Sequence, residues 1–574
     1  MSALRNTTGK QASASGADSD VFAAAGAAMR AAHPLRHPKL KEAAELLRQK
    51  QADAAQSLLS GFLGPRPNDP GGVRLMAQAL FATGRKEQAE EFFARATALA
   101  PDDAATRYEY ASALFQLNKP PLALAELDRL LESDPRNPLC LDLKSTVLSA
   151  MGRLAESLDC HRALVEDHPH STDIRLKLGW ALRSVGNRED SVAALRKAIE
   201  LCPSCGEAYW SLAGLKGFRF SEEEVLAMQE QLSAPTVAGE NRMYLHFALG
   251  NAYAGRKLHA KAFENYARAN AIKRLSIDYD PGWLSRHVAT CKRLFTAEFL
   301  RDREGFGSEV PDPLFIIGMQ RAGSTLVEQI LANHPAVEAT AELPDISLLA
   351  EHIGERIAPE YGAEYPGILA RLDARAFRQF GERYLETTRF RRTPGCPHFT
   401  DKMPYNLLHV GLIHLMLPNA KIVDVRRHPL GCCFSNFSMN FKFGALFAYR
   451  LNELGQAYRD YVELMAHFDT VLPGRIHRVI YEDLVREPEK EVRRLLDHIG
   501  LPFDAACLRF HENARAMDSA SSEQVRSPIS TDAVDEWRNY DAWLGPLKAA
   551  LGPVLDTWRG SAAPVRHGPP QCGP

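Results

Sequence analysis

Between residues 36 and 275, apolar and small side chains recur with a period of 34 residues. Each period holds two stretches of helical spacing, separated by a turn residue and closed by a proline, which predicts a stack of helical hairpins. The closing prolines are Pro67, Pro101, Pro135, Pro169 and Pro203. The turn residues are Gly84, Asn118, Gly152 and Gly186, and small residues form two columns at Ala77, Ala111, Ser145 and Gly179 and at Ala89, Ala123, Ser157 and Ser191.

These columns resemble the tetratricopeptide repeat, in which small residues lie where the two helices of a hairpin touch. Four ungapped repeats keep one register, a weaker repeat precedes them, and residues 216–240 interrupt the pattern before a last repeat. The resemblance implies an all-α superhelix over residues 36–275 whose concave face binds a protein or peptide segment. A dimerisation surface or a spacer is the alternative use of such an array.

After residue 312, short apolar runs alternate with helix-like segments, and this pattern predicts an α/β domain with a mostly parallel sheet. The first run, 314–317, ends at Gly318 and leads through a loop closed by Gly323 into a helix-like segment. The G-x-x-x-x-G spacing predicts a P-loop-like cradle in which backbone N–H groups hold an anion. Ser324 stands where the nucleotide-binding motif has lysine, and Arg321 is the cation within the loop. The cradle is therefore suited to an anion other than the γ-phosphate of ATP.

Polar groups follow the later apolar runs. Lys402 lies in the segment Asp-Lys-Met-Pro, and the run 422–425 is followed by Arg426 and Arg427, with Ser435 eight residues after Arg427. Tyr481 follows another short run. Because ligands bind at the carboxyl ends of parallel strands, these side chains are candidates for one site. The role of Arg426 stays open between extending the positive patch and facing solvent.

Together these segments resemble the sulfotransferase superfamily that uses 3′-phosphoadenosine 5′-phosphosulfate (PAPS), over about residues 312–550. Within it they are most similar to tyrosylprotein sulfotransferases, and the added repeats resemble bacterial repeat-containing sulfotransferases. The resemblance implies a 5′-phosphosulfate loop, a 3′-phosphate site, an adenine contact and a late basic contact to the 3′-phosphate. In that order, the matching residues are Gln320, Arg321, Ala322, Gly323, Ser324 and Thr325, then Arg427 with Ser435, then Tyr481, then Arg526.

The resemblance also implies the chemistry. Glu342 matches the catalytic base that takes the proton from an acceptor hydroxyl, while Lys402 and Arg321 neutralise charge on the transferring sulfuryl group. Ser521 or Ser522 adds a hydrogen bond to that group by analogy, and the scheme needs no metal. Ala322 replaces the usual loop serine and Ser324 a usual threonine, so we expect weakened rather than lost binding, since backbone N–H groups do most of the cradling.

Composition adds few constraints. The formal net charge of −2 over 574 residues gives no electrostatic reason to expect a nucleic-acid partner, and no apolar run reaches the length of a membrane span. The first residues lack the pattern of a signal peptide, and ten scattered cysteines do not imply a disulfide framework, so a cytoplasmic location is expected. Cys202 and Cys205 form a lone C-x-x-C, which is weak support for metal or redox chemistry.

We expect residues 1–35 to be a disordered segment, 36–275 the repeat array, 276–311 a connector, 312–555 the sulfotransferase domain and 556–574 a flexible tail. The alternative function is a catalytically weak nucleotide-binding scaffold whose repeats recruit protein partners. An ATP-dependent kinase is disfavoured by Ser324 at the lysine position. The acceptor stays open between protein tyrosine, a glycan, a lipid and a small phenol.

Overall fold

The computed structural model describes residues 18–32, 35–392, 395–441, 444–512 and 528–560. Its first half is a stack of helical hairpins and its second half is a parallel sheet covered by helices. The predicted multidomain architecture, a tetratricopeptide superhelix followed by an α/β domain with a parallel sheet, is confirmed. The described residues contain no helix that is both long and apolar enough to cross a membrane.

The array runs through fourteen helices. They are α2 (Pro38–Arg48), α3 (Ala52–Leu63), α4 (Pro70–Ala82), α5 (Lys86–Leu99), α6 (Ala104–Gln116), α7 (Pro120–Ser133), α8 (Pro138–Ala150), α9 (Leu154–Asp167), α10 (Thr172–Ser184), α11 (Arg188–Leu201), α12 (Gly206–Ala213), α13 (Glu222–Ser233), α14 (Gly239–Gly255) and α15 (His259–Leu275). The two predicted columns of small residues are buried between paired helices. At Gly179, for example, a Cβ atom would lie 2.7 Å from the side chain of Leu195. The predicted turn column has positive φ at all four positions, which glycine and asparagine tolerate best.

The N-terminal segment differs from the prediction. Residues Asp18–Ala32 form helix α1, which packs on α6 and α8, so the expectation of disorder over residues 1–35 is wrong for this stretch. Alanine has the highest helix propensity, and Phe22 and Met29 pack against the hydrophobic cluster of the neighbouring hairpins. The ammonium of Lys177 lies 4.8 Å from the centroid of the Phe22 ring.

Helices α16 (Trp283–Leu294) and α17 (Ala297–Arg301) join the two halves. The five strands that follow are β1 (Pro313–Gly318), β2 (Val337–Ala341), β3 (His398–Asp401), β4 (Lys421–Arg426) and β5 (Ile476–Ile480). They form one sheet in the order β2-β3-β1-β4-β5, and every described pairing is parallel. All six residues of β1 are buried, as expected for the central strand of a sheet covered on both faces.

Helices surround this sheet. They are α18 (Ser324–Ala332), α19 (Asp345–His352), α20 (Ala358–Glu360), α21 (Ala374–Thr388), α22 (Val410–Met416), α23 (Pro429–Phe437), α24 (Leu451–Val471), α25 (Tyr481–Arg486), α26 (Pro488–Ile499), α27 (Gly545–Leu551) and α28 (Val554–Thr557). Short 3₁₀ or π helices lie at Ile353–Ile357, Gly367–Arg371, Arg389–Arg391, Pro404–His409, Leu446–Tyr449, Ala505–Glu512 and Glu536–Trp543.

The C-terminal boundary also needs correction. The tail was predicted to be flexible from residue 556, yet α28 continues to Thr557 and Trp558 is buried. The backbone carbonyl of Trp558 accepts a hydrogen bond of 2.6 Å from Nη1 of Arg426, which is itself buried. These residues therefore belong to the α/β domain, and residues 561–574 lie outside the described part.

The last hairpin of the array packs directly on the α/β domain. Arg274 on α15 forms an ion pair of 2.9 Å with Glu453 on α24. The side-chain amide of Asn270 donates a 2.7 Å hydrogen bond to the carbonyl of Phe437. Both contacts are largely shielded from solvent, so they fix the end of the array against the sheet domain.

Candidate active site

Most of the predicted site residues lie at one edge of the sheet. Glu342 directly follows β2, Lys402 follows β3, Arg427 follows β4 and Tyr481 follows β5. The anion loop follows β1, the central strand, so all five strand ends contribute. Because the strands are parallel, these ends meet at the carboxyl edge, where open α/β sheets bind their ligands.

The loop between β1 and α18 has the backbone of an anion cradle. Gly318 and Gly323 have φ angles of 141° and 105°, and Arg321 between them has a φ of 65°. A Cβ atom at Gly323 would lie 2.7 Å from Cδ2 of Tyr481, so only glycine allows the loop to approach that ring. Helix α18 begins at Ser324, and the first N–H groups of a helix have no intrahelical acceptor. The loop can therefore present backbone donors to an anion.

Two arginines lie beside the cradle. Nη1 of Arg427 donates to the backbone carbonyl of Arg321 at 3.3 Å, and Nε of Arg321 donates to Oγ of Ser435 at 3.0 Å. The guanidinium of Arg427 lies 4.9 Å from the centroid of the Tyr481 ring. Among the described residues, none accepts a hydrogen bond from the buried Nε of Arg427. The structure thus brings together Arg321, Arg427, Ser435 and Tyr481 as predicted.

The charge state of this pair favours an anionic ligand. Burial, followed by the positive charge of Arg427, lowers the pKa of Arg321 to about 10. Two cations side by side disfavour each other's charged form, and a bound anion offsets that cost. Guanidinium groups also give charge-assisted hydrogen bonds to phosphate or sulfate oxygens. The arrangement can therefore bind a doubly or multiply charged group at the end of β4.

The two predicted catalytic residues from β2 and β3 form an ion pair. Nζ of Lys402 donates to Oε1 of Glu342, although sixty residues separate them in the chain. The Lys402 side chain is 2% exposed, whereas that of Glu342 is 46% exposed. The carboxylate of Glu342 is therefore accessible at the carboxyl edge of the sheet, and the ammonium of Lys402 lies buried beneath it. An accessible carboxylate can accept a proton, and a buried cation can stabilise negative charge.

Other predicted residues have simpler surroundings. Ala322, Ser324 and Thr325 are buried within the loop and first turn of α18, while Gln320 and Arg321 are partly exposed. The backbone carbonyl of Gln320 accepts a 2.8 Å hydrogen bond from the side-chain amide of Asn436. Arg526, Ser521 and Ser522 lie outside the described residues.

Arg426 neither faces solvent nor extends the positive patch. It is 1% exposed and forms a 2.7 Å ion pair with Asp424 on the same strand. Successive strand residues alternate between faces, so Arg426 and Arg427 point in different directions. Arg426 therefore stabilises the sheet, whereas Arg427 lies beside the anion loop.

Three supporting residues were missed by sequence reasoning. Oε1 of Glu482 accepts the backbone N–H of His428 at 3.0 Å, and the hydroxyl of Tyr458 donates to the carbonyl of Arg427 at 2.6 Å. Asn436 holds the loop carbonyl of Gln320. Together they fix the backbone on which Arg427 and the anion loop depend. The only available signal was that Glu482 adjoins Tyr481 and Asn436 adjoins Ser435.

Comparison with known families agrees with this geometry. The model described as "Sulfotransferase family" matches residues 313–505, which span all five strands. Models described as "Tetratricopeptide repeat" match residues 46–105, 88–146 and 172–205. Residues 313–505 thus match the sulfotransferase family, and the first half carries tetratricopeptide repeats.

Similar proteins match this chain over different lengths. A protein of Aquifex aeolicus (strain VF5), described as "Uncharacterized protein", is 30% identical over 412 residues, 71% of this chain and 53% of that protein. A protein-tyrosine sulfotransferase of Drosophila melanogaster is 25% identical over 235 residues, 39% of this chain and 46% of that protein. The chain thus spans about half the length of these two relatives.

Among solved structures, the sulfotransferase domain from the Synechococcus PCC 7002 olefin synthase is similar to this chain. The identity is 23%, the TM-score is 0.30, and the match covers 40% of this chain and 89% of that domain. Among the described residues, no group of three or more His, Cys, Asp or Glu side chains is arranged to hold a metal ion.

Proposed function

We propose that this protein is a PAPS-dependent sulfotransferase that moves a sulfuryl group to a hydroxyl acceptor. One observation carries the proposal: an anion cradle with two neighbouring arginines and a Glu–Lys pair lie at the same edge of the sheet. PAPS is a donor with two anionic ends, a 5′-phosphosulfate and a 3′-phosphate. The chain offers two anion-binding elements, the loop after β1 and the Arg427–Ser435 pair after β4.

The donor would be held by residues 320–325, by Arg427 after β4 and by Ser435 on α23. Backbone N–H groups of the loop would bind the 5′-phosphosulfate, and Arg427 with Ser435 would bind the 3′-phosphate. The orphaned Nε of Arg427 supports this fit, because a buried donor without a partner is costly unless a ligand satisfies it. Tyr481 lies against Gly323 and Arg427, where it would contact the adenine. Arg526 remains a proposed late contact.

Glu342 would act as the general base. Its carboxylate would take the proton of the acceptor hydroxyl while that oxygen forms a bond to sulfur and the bond from sulfur to the bridging oxygen breaks. Lys402 and Arg321 would stabilise negative charge on the sulfuryl oxygens and on the leaving phosphate. Because Lys402 already contacts Glu342, binding of the donor would draw the ammonium partly away from the carboxylate and leave the carboxylate available to the acceptor hydroxyl.

Tyrosine in a protein is the acceptor that we propose, because the similar protein of Drosophila melanogaster is a protein-tyrosine sulfotransferase. The repeats would bind a protein segment that carries it. The scaffold alternative is less well supported, because a degenerate site has no need to keep the buried Arg427, with its orphaned Nε, beside Arg321 at the cradle.

The decisive experiment is calorimetry with 3′-phosphoadenosine 5′-phosphate (PAP). Arg427→Ala should weaken PAP binding by about 30-fold or more, since a charge-assisted contact contributes about 2 kcal/mol or more. Arg389→Ala is the matched control, because Arg389 is an exposed arginine of the same domain paired with Glu386. Equal PAP affinity of both variants would rule out the cofactor assignment.

The base is tested separately. Glu342→Gln should retain PAP affinity and lose about 100-fold or more in turnover with a tyrosine peptide acceptor, because it removes the base and preserves the shape. Turnover is measured with sulfur-labelled PAPS. Undiminished turnover in this variant would place the base elsewhere.

A further inference from the structure

One turn of the repeat array reaches the segment that carries Glu342. In three of the four aligned hairpins the turn residue is glycine, at Gly84, Gly152 and Gly186, whereas the hairpin of α6 and α7 has Asn118. Asn118 has a φ of 58°, so it adopts the same left-handed conformation as the glycines. Asparagine is the ordinary alternative to glycine there, but it adds an amide side chain.

That amide joins a buried network in the α/β domain. Nδ2 of Asn118 donates to Oδ1 of Asp345 at 2.9 Å, and Oδ1 of Asn118 accepts from Nη2 of Arg391 at 3.4 Å. Arg391 also pairs with the other oxygen of Asp345 at 3.5 Å, and its Nε donates to the carbonyl of Ala150 at the turn of the next hairpin at 3.4 Å. The Arg391 and Asp345 side chains are 7% and 3% exposed.

The network lies three residues from the proposed base. Asp345 begins helix α19, and only Leu343 and Pro344 separate it from Glu342. Leu343 is completely buried, and proline restricts both its own φ and the residue before it. A displacement of Asp345 would therefore be passed along a short, stiff segment to Glu342.

We propose that Asn118 and Arg391 are positioning residues that hold the Glu342 segment through Asp345, so that the repeat array completes the active site. This inference rests on the proposed function, because it treats Glu342 as the base. It assigns the array a role in catalysis in addition to partner binding.

The array also contacts the α/β domain through α15. A role of Asn118 in positioning the Glu342 segment can therefore be distinguished from a role in attaching the array to the domain. Arg274 with Glu453 and Asn270 with Phe437 hold the end of the array to the α/β domain independently of Asn118. Loss of the Asn118 contact should consequently leave the array attached and affect only the local segment.

The test variant is Asn118→Gly, because glycine occupies this turn position in the three other aligned hairpins and keeps the backbone conformation. Amide hydrogen exchange of residues 342–352 should become about 2- to 10-fold faster, as expected for loss of one net hydrogen bond. The kcat of tyrosine-peptide sulfation should fall about 3- to 10-fold, since misplacement of a catalytic group lowers the rate. The KM for PAPS and the affinity for PAP should not change, because the donor site is formed by other strand ends.

Arg391→Ala is the second variant, and Arg389→Ala is its matched control two residues away, with an exposed side chain. We expect slower turnover and faster exchange for Arg391→Ala alone. Unchanged exchange of residues 342–352 in Asn118→Gly would overturn the proposal, and so would faster exchange with an unchanged kcat. If the wild-type protein sulfates no acceptor, the proposed function fails, while the exchange measurement still decides whether Asn118 anchors this segment.

Discussion

Two features of the structure require glycine at position 323. Its φ of 105° lies in the left-handed region, and its missing side chain lets the ring of Tyr481 approach the loop. The positive φ shapes the backbone of the anion cradle. The missing side chain sets how closely the ends of β1 and β5 approach each other at the carboxyl edge. Both would be disturbed by a single methyl group.

Gly323→Ala should therefore lower PAP affinity by about 10-fold or more, which corresponds to about 1.4 kcal/mol. The added Cβ atom would lie 2.7 Å from Tyr481, so the loop or the ring must move. Calorimetric titration with PAP measures the effect. Gly305→Ala is the control, because Gly305 also has a positive φ of 81° but a Cβ atom there would contact nothing within 4 Å. Equal PAP affinity in the two variants would show that the contact with Tyr481 is not needed for binding.

Some site residues could be predicted from the sequence, whereas their contact partners could not. Arg427 and Tyr481 could be placed at one edge because each follows a short apolar run, and parallel strands share their carboxyl ends. Lys402 follows the largely polar strand β3 and was indicated by the family resemblance alone. The partners of those residues could not be placed. Glu342 meets Lys402 across sixty residues, and Tyr458 reaches the carbonyl of Arg427 from another helix. Such contacts depend on helix orientation, which no local pattern encodes.

At the element scale, helix α1 shows why a compositional reading can be wrong. Its alanine-rich sequence lacks a wide apolar stripe, and only Phe22 and Met29, seven residues apart, supply large side chains to one face. In isolation so short a helix is marginal, but packing on α6 and α8 supplies the missing stability. The repeat columns were predictable for the opposite reason, because each one is repeated at a fixed interval.

Phe22→Asp should release α1 from the array. Amide exchange of residues 21–31 should become about 5- to 10-fold faster, since complete burial of such a side chain contributes about 1.5–3 kcal/mol and Phe22 is half-buried. The loss of the contact with Lys177 acts in the same direction. Ala24→Asp is the matched control, because it puts the same charge on an exposed position of the same helix. If both variants exchange at the same rate, the Phe22 contact does not hold α1.

At the scale of the whole molecule, both halves bury histidines whose neutral form is favoured. Burial lowers the pKa of His161 in the array to about 4. In the α/β domain, burial lowers the pKa of His409 to about 3, with a smaller contribution from His287, and the pKa values of His477 and His498 to about 3 and about 4. Acid sensitivity is therefore shared by the array and the sheet domain.

The sign of this effect follows from proton uptake. Between pH 6.5 and about 4 the unfolded chain binds protons at these histidines that the folded chain does not, so the free energy of unfolding falls as the pH falls. The stabilisation is fully present above pH 6.5 and is lost as the pH approaches the folded pKa values. Each such histidine contributes a slope of at most about 1.4 kcal/mol per pH unit.

His409→Gln should therefore reduce the pH dependence of stability, whatever it does to stability at neutral pH. Urea denaturation between pH 7 and pH 4.5 should give a slope that is smaller than that of the wild-type protein by up to about 1.4 kcal/mol per pH unit below pH 6. His409 is suited to this test because it is 8% exposed and its Nδ1 lies 2.8 Å from the hydroxyl of Tyr365. His170→Gln removes an exposed imidazole from the array and serves as the control. An identical slope for His409→Gln and the wild-type protein would mean that His409 takes up its proton without unfolding, and the acid sensitivity would have to come from the other buried histidines.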